Sequence, residues 1–403
     1  MKVIPLQAGA SVTDITPPLE VGLLTSSVNG TYAPFESVRL PLKARVLVLR
    51  FADELIAIVS LDLLALNDTS VDGWEQFKTG MAGQIQPDKI ILTYTHTHTA
   101  PESVALSNLY LTKAYKNWIR DIQVRIKAAI ASAIDNLKPC HLSAGVDTLE
   151  GFNMQRRIYK DGHIIMSDAV QPVGEELLNR EPVDRRVQLL RFSDDDGNVI
   201  ATIVHAVCHP VHEMCMKHIS SEFPGEMCLQ LESLNQNGMP MFLNGAAGDT
   251  NPPTVSMGPC FAQEHGVALA NLVQQMKNMT AVDTSVFKTI NSFLQLPVRQ
   301  ETGITNPLDA VARFSALRIG ELALLFLPGE PFTETASAIE KDSPFQYTIV
   351  IAYSENNIGY IPTEEAFDLG GYEVGPGKWS YLEKGTDKII YREAIRLLQE
   401  LNN

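Results

Sequence analysis

The sequence predicts an α/β protein of the α+β kind, in which mixed β-sheets are flanked by helices and a metal site lies at the strand ends. Three observations predict it. Residues 55–62, 70–85 and 89–94 read as strand, helix and strand, the unit of folds whose sites lie beyond their strand ends. Within residues 113–136, Trp118, Ile119, Ile122, Ile126, Ala129, Ile130 and Ile134 recur at helical spacing, which marks a core-facing amphipathic helix. Histidines gather at two predicted strand ends, at 96–98 and at 205–218.

Taken in order, residues 7–18 read as a short edge strand closed by a Pro-Pro turn, with Asp14 as a turn former. Residues 20–43 are irregular, and a loop of this length inside a compact unit is expected to border a pocket. Strands follow at 44–51 and 55–62, joined at Ala52-Asp53-Glu54. Asp62 either borders a site or caps the next turn. The strand at 89–94 leads into THTHTAPE, and extended geometry there would send His96 and His98 to one side. Such a pair is half of a metal site or an acid–base pair, or else a solvated strand end. A mobile segment is expected at 103–111.

After the 113–136 helix comes a strand at 141–146, whose His141 reads as structural. Arg156 and Arg157 are adjacent, so one is expected at the surface while the other reaches an oxyanion. Residues 187–192 and 199–206 form a hairpin over an Asp-rich turn that lacks the rest of a calcium loop. The second cluster holds His205, His209, His212 and His218. Pro210 disfavours a helix through His209, so a strand-to-loop position fits it, and at least two of these four histidines are bystanders. A helix is expected from Ser221 to about Leu234, then a strand at 240–243. The strand enters NGAAGDTNP, whose small residues permit close backbone approach and whose Asn244, Asp249 and Asn251 offer polar tips. A helix at 261–276 precedes three or four strands over 284–328. Glu330 then stands at a strand end before a helix, either as a first-turn acid or as a ligand. A strand at 346–353 and a terminal helix at 388–401 complete the chain.

The formal charge of −15 argues against nucleic acid and anionic membrane surfaces as partners. Five cysteines without a CxxC argue against a disulfide framework. No apolar run approaches membrane-spanning length, and the N-terminus lacks the apolar core of a signal peptide. A cytoplasmic location without membrane anchoring is therefore expected.

Seven stretches together carry a resemblance: GASVTDITPP, THTHTAP, NMQRR, CHP with SSEFPGE, NGAAGDTNP, PGEPFTE and GYIPTEEAFDLGGYE. In this order they resemble the neutral/alkaline (non-lysosomal) ceramidases, and the chain looks like a short bacterial-type relative. The resemblance implies a zinc amidohydrolase with Zn2+ held by His96, His209, Glu330 and Tyr360. It also implies that His98, Arg156 or Arg157, and Tyr372 face the scissile group. It extends over 1–403 as one catalytic domain, without the immunoglobulin-like C-terminal domain of typical ceramidases.

One position departs from the pattern: Asn251 stands where the family has a serine needed for activity. Asn251 can hold a substrate by hydrogen bonds but cannot act as a nucleophile. The expected function is zinc-dependent hydrolysis of an amide in a small soluble N-acyl substrate rather than ceramide. The alternatives are a zinc-dependent esterase and a metal-retaining binding protein without turnover.

Overall fold

The computed structural model describes residues 5–26 and 31–403. Three larger sheets carry the fold, and each contains one parallel pair. In the N-terminal sheet the strands run Ile90–Tyr94, Glu54–Leu61, Lys43–Phe51, Gln7–Asp14 and Lys138–Pro139, with Glu54–Leu61 parallel to Ile90–Tyr94. The middle sheet runs Met239–Asn244, Val199–Ala206, Arg186–Ser193, His141–Thr148 and Thr280–Val282, with the first two parallel. The C-terminal sheet runs Phe287–Gln295, Val311–Ile319, Leu322–Phe326 and Tyr347–Ile351, with the last two parallel.

Alternation of side chains builds the layers. From Lys43–Phe51, Val46 and Val48 pack towards the helix Lys113–Asp135, whereas Leu47 and Leu49 point the other way. Leu47 and Leu49 join Phe192 and Ile203 of the middle sheet and Leu324 and Phe326 of the C-terminal sheet in one shared core. The outer face of the middle sheet is covered by helices Glu222–Ser233 and Pro259–Gln275. That of the C-terminal sheet is covered by Thr333–Asp342 and Thr386–Asn402. The predicted class, mixed sheets flanked by helices, is what the chain adopts.

Several local expectations change. Gln7–Asp14 is not an edge strand, because it pairs with Lys43–Phe51 on one side and Lys138–Pro139 on the other. The helix expected at 70–85 shortens to Trp74–Met81. Asp62 caps rather than lines the site, accepting from the Lys43 amide at 2.9 Å and Arg45 Nη1 at 3.3 Å. The segment expected to be mobile is pinned by Glu102, whose carboxylate accepts from the amides of Val104, Leu106 and Ser107 and from the Ser107 hydroxyl. Of the loop at 20–43, residues 27–30 lie outside the described residues. The part 31–43 pairs instead with the His218–Ile219 segment through Ser37–Val38. Among the described residues, no helix is long and apolar enough to cross a membrane.

Candidate metal centre

The site forms where the parallel pairs end. The chain leaves Ile90–Tyr94 into His96 and His98, and leaves Val199–Ala206 into His209. It leaves Met239–Asn244 into Asp249 and Asn251, Leu322–Phe326 into Glu330, and Tyr347–Ile351 into Tyr353 and Tyr360. Carboxyl ends of parallel strands leave a crevice that loops from separate strands can share. Backbone hydrogen bonds stitch these exits together: Tyr94 N donates to Tyr353 O at 2.9 Å, Ala352 N to Asn244 O at 3.0 Å, and Glu330 N to Gly359 O at 3.0 Å. Asn244 is a staple rather than a site tip. Its amide donates to the carbonyls of Thr95 and Cys208 and accepts from the Cys208 amide, tying the two histidine loops to each other. The small residues of NGAAGD admit protein backbone, since a Cβ on Gly248 would lie 2.4 Å from the Glu330 carbonyl oxygen.

His96 and His98 do not converge by strand alternation. The strand ends at Tyr94, and His96 has a φ of 68°, a left-handed turn that costs a non-glycine residue strain. His96 Nδ1 faces the Leu64 carbonyl at 2.8 Å and His209 Nδ1 faces that of Thr250 at 3.0 Å. With Nδ1–H donating to its carbonyl, each ring leaves the Nε2 lone pair for a ligand, which is how proteins orient ligating imidazoles. Glu330 Oε2 is 3.2 Å from His96 Nε2 and 3.2 Å from His209 Nε2, and His98 Nε2 is 3.3 Å from His96 Nε2. Two ligands of a tetrahedral zinc ion, each ~2.0–2.1 Å from it, lie about 3.3 Å apart. The donor set fits such an ion in kind and in spacing. His96, His98 and His209 together present ring nitrogens within 4.8 Å of one another and could hold a metal.

Tyr360 is set beside Glu330 by a two-residue parallel ladder in which Glu330 pairs with Tyr360. Arg156 and Asn251 are set opposite His209 by a two-residue antiparallel ladder, in which Met154 pairs with Asn251 and Gln155 with Thr250. Arg156 Nη1 reaches His209 Nε2 and Asn251 Oδ1, each at 3.4 Å, and its guanidinium carbon lies 5.3 Å from the centre of the Tyr360 ring. Neither arginine is at the surface. Both are buried on the fully buried Glu373, Arg156 Nε at 2.8 Å on one oxygen and Arg157 Nη1 on the other. Arg157 turns away to the carbonyls of Ala366 and Gly370, so Arg156 alone faces the histidines. Its Nη2 is buried without a hydrogen-bond partner among the described residues. Tyr372 lies 5.8 Å from Tyr360, ring to ring, and stacks on Trp379 at 5.5 Å.

Burial shapes the charges. It lowers the His209 ring to about 4, with Arg156 acting in the same sense. Burial, then His96 and His209, push His98 well below its usual value. Burial alone would raise the Glu330 carboxyl, but His96 and His209 hold it well below the usual carboxylate range. Neutral imidazoles and an ionised carboxylate are the forms that bind metal.

The other histidines of the second cluster are bystanders. His205 faces the Val350 carbonyl, His212 faces Thr254, and His218 pairs with Glu213. Two contributors had no sequence signal: Glu373 holds both arginines, and Tyr353 places its ring against His96 with centroids 4.1 Å apart. A cleft of about 60 Å3 opens over the histidines, lined by His96, His98, Glu330, Tyr360 and Tyr372 and walled by Val104 and Leu106. Among the described residues, none of 20–43 lines it.

No protein-family model matches the chain, and no curated protein matches it by sequence. Solved structures do match. A ceramidase complexed with C2 superposes with a TM-score of 0.78 at 18% identity, over 99% of this chain and 75% of that one. The neutral ceramidase of Pseudomonas aeruginosa superposes with a TM-score of 0.76 at 19% identity, over the same 99% and 75%. The fold is neutral-ceramidase-like.

Proposed function

We propose that this chain is a zinc-dependent amidohydrolase that cleaves the N-acyl bond of a small soluble substrate. One observation supports this most: Glu330 Oε2 stands 3.2 Å from both His96 Nε2 and His209 Nε2, while both rings spend Nδ1 on backbone carbonyls. His96, His209, Glu330 and Tyr360 would hold the ion. When bound, zinc lowers the pKa of a coordinated water from about 16 towards ~7.

The remaining work falls to the chain's own side chains. Arg156 supplies positive charge where the carbonyl oxygen becomes an oxyanion, and Glu373 fixes its plane so that no reorganisation is needed at that moment. Tyr372 donates to the same oxygen. His98, a neutral imidazole beside His96, takes the proton of the attacking water and passes it to the leaving nitrogen. Asn251 orients Arg156 and the substrate. Having no nucleophilic oxygen or sulfur, it leaves acyl transfer directly to water. The C–N bond breaks, giving a carboxylate and an amine.

The test is hydrolysis of a panel of N-acyl compounds and matched esters by protein as purified, after chelation, and after zinc is restored. Amide turnover lost on chelation and regained with zinc is the expected result. Turnover unaffected by removal of metal, or absent from the zinc-restored protein for every compound, would overturn the proposal.

A further inference from the structure

We infer that Lys378 is a latch across the mouth of the histidine cleft, which a substrate must displace to reach His98 and the centre behind it. This rests on the hydrolase reading only in taking that cleft as the place of reaction. The cleft as it stands is too small for any N-acyl compound. It encloses about 60 Å3, room for a few water-sized groups, whereas pockets that hold small molecules span ~300–1,000 Å3. Access therefore requires part of the lining to move.

Most of the lining is fixed. On one side Glu102 holds the amides of Val104, Leu106 and Ser107. On the other, both arginines hold Glu373, and Arg299 donates to the carbonyls of Val374 at 2.9 Å and Ser380 at 2.5 Å. The Trp379 carbonyl accepts from the Tyr360 amide at 2.9 Å, and its ring stacks on Tyr372. These contacts clamp residues 373–374 and 379–380 and leave the tip Gly375-Pro376-Gly377-Lys378 between them. The tip folds back over Trp379, since a Cβ on Gly377 would lie 2.6 Å from that ring. From the tip, exposed Lys378 reaches the facing wall, donating to the carbonyls of Ala105 at 3.3 Å and Leu106 at 3.5 Å. Both bonds are longer than the usual ~2.9–3.0 Å, both acceptors are neutral, and at an exposed side chain water replaces them readily. Lys378 also lines the cleft. Its release unties the tip and clears the mouth, while the histidines, Glu330 and Tyr360 stay in place.

Diethyl pyrocarbonate tests this, because it acylates neutral imidazoles and is itself too large for the closed cleft. Labelling of the full chain is followed by mass spectrometry at His98, which lines the cleft, and at exposed His141, which does not. Lys378→Met keeps the length of the side chain and removes its donors, Lys378→Ala removes both, and Lys378→Arg keeps donors. Relative to His141, labelling of His98 should rise about fivefold or more in Lys378→Met, the factor that one net hydrogen bond contributes to an equilibrium. Lys378→Ala should label at least as fast, and Lys378→Arg at about the wild-type rate. A His98 rate in Lys378→Met equal to that of wild type overturns the latch, whether or not Lys378→Ala is faster. A rate in Lys378→Arg raised as far as in Lys378→Met overturns it too. The labelling needs neither turnover nor a bound ion, so failure of the substrate panel would contradict the hydrolase reading and leave this result standing on its own.

Discussion

Glu330 and Tyr360 are direct partners in a two-residue parallel ladder, so the backbone that sets one sets the other. Glu330 N is further tied to Gly359 O at 3.0 Å, and Gly329, at a φ of 70°, makes the turn into this ladder. The carboxylate that meets both imidazoles therefore comes from a fixed segment, as a metal ligand must. Glu330→Gln keeps the shape and removes the charge. It should weaken zinc binding by more than the ~10–100-fold typical of outer-shell substitutions. Competition with a chromophoric chelator measures this, and unchanged affinity would remove Glu330 from the ligand set.

Arg156 and Arg157 share one buried carboxylate, that of Glu373, which fixes both guanidinium groups. Arg156→Ala should lower kcat by ~10²–10³, the usual loss for one oxyanion donor, with zinc content retained. Glu373→Ala should destabilise the fold by ~3–5 kcal/mol, because it leaves two buried guanidinium charges unpaired. Steady-state kinetics with metal analysis separates the first effect, and denaturant unfolding reads the second.

Asn244→Ala breaks three hydrogen bonds that join the Thr95 and Cys208 backbones. Groups left buried and unsatisfied cost about 1–3 kcal/mol each, so a clear loss of stability is expected. Zinc affinity should fall with it, because the two histidine loops lose their common anchor. Wild-type stability and affinity in this variant would show that the stitching between Tyr94, Tyr353 and Ala352 suffices.

The parts of this arrangement legible in the sequence are those governed by local pattern. Short apolar runs marked Lys43–Phe51 and Glu54–Leu61, and helical spacing marked Lys113–Asp135. Pro210 kept His209 out of a helix, and the strand exits carried the polar residues. What stayed hidden depends on partners far along the chain. Nothing in residues 371–375 announces that Glu373 binds two arginines more than two hundred positions away. The contact of the Tyr353 ring with His96 and the tethering of residues 103–107 by Glu102 are likewise invisible to periodicity. The turn at His96 misled the expectation of an extended strand end, because positive φ at a non-glycine residue leaves no sequence mark.

A pH dependence of stability follows from Glu222, fully buried at the start of helix Glu222–Ser233. Burial first, then the neighbouring Glu213, raise its carboxyl from 4.5 to about 8. A raised folded-state value means the folded chain holds this proton more tightly than the unfolded chain. The stabilisation is complete below about 4.5 and is lost progressively as the pH rises to about 8. In that window Tm should therefore lose a contribution that Glu222→Gln, permanently neutral, retains. Thermal unfolding of both proteins across pH 5–8 checks this, and parallel curves would contradict it.

Elemental metal analysis tests the central claim most directly, on protein purified without chelators or a metal-affinity column. Wild type and His209→Ala are compared after equal exposure to zinc, with circular dichroism to confirm that both are folded. The predicted result is about one zinc per wild-type chain and its loss from His209→Ala with the fold intact. A wild type that holds no zinc after exposure, or a folded His209→Ala that holds as much as wild type, would contradict the metal centre built on His96, His209 and Glu330.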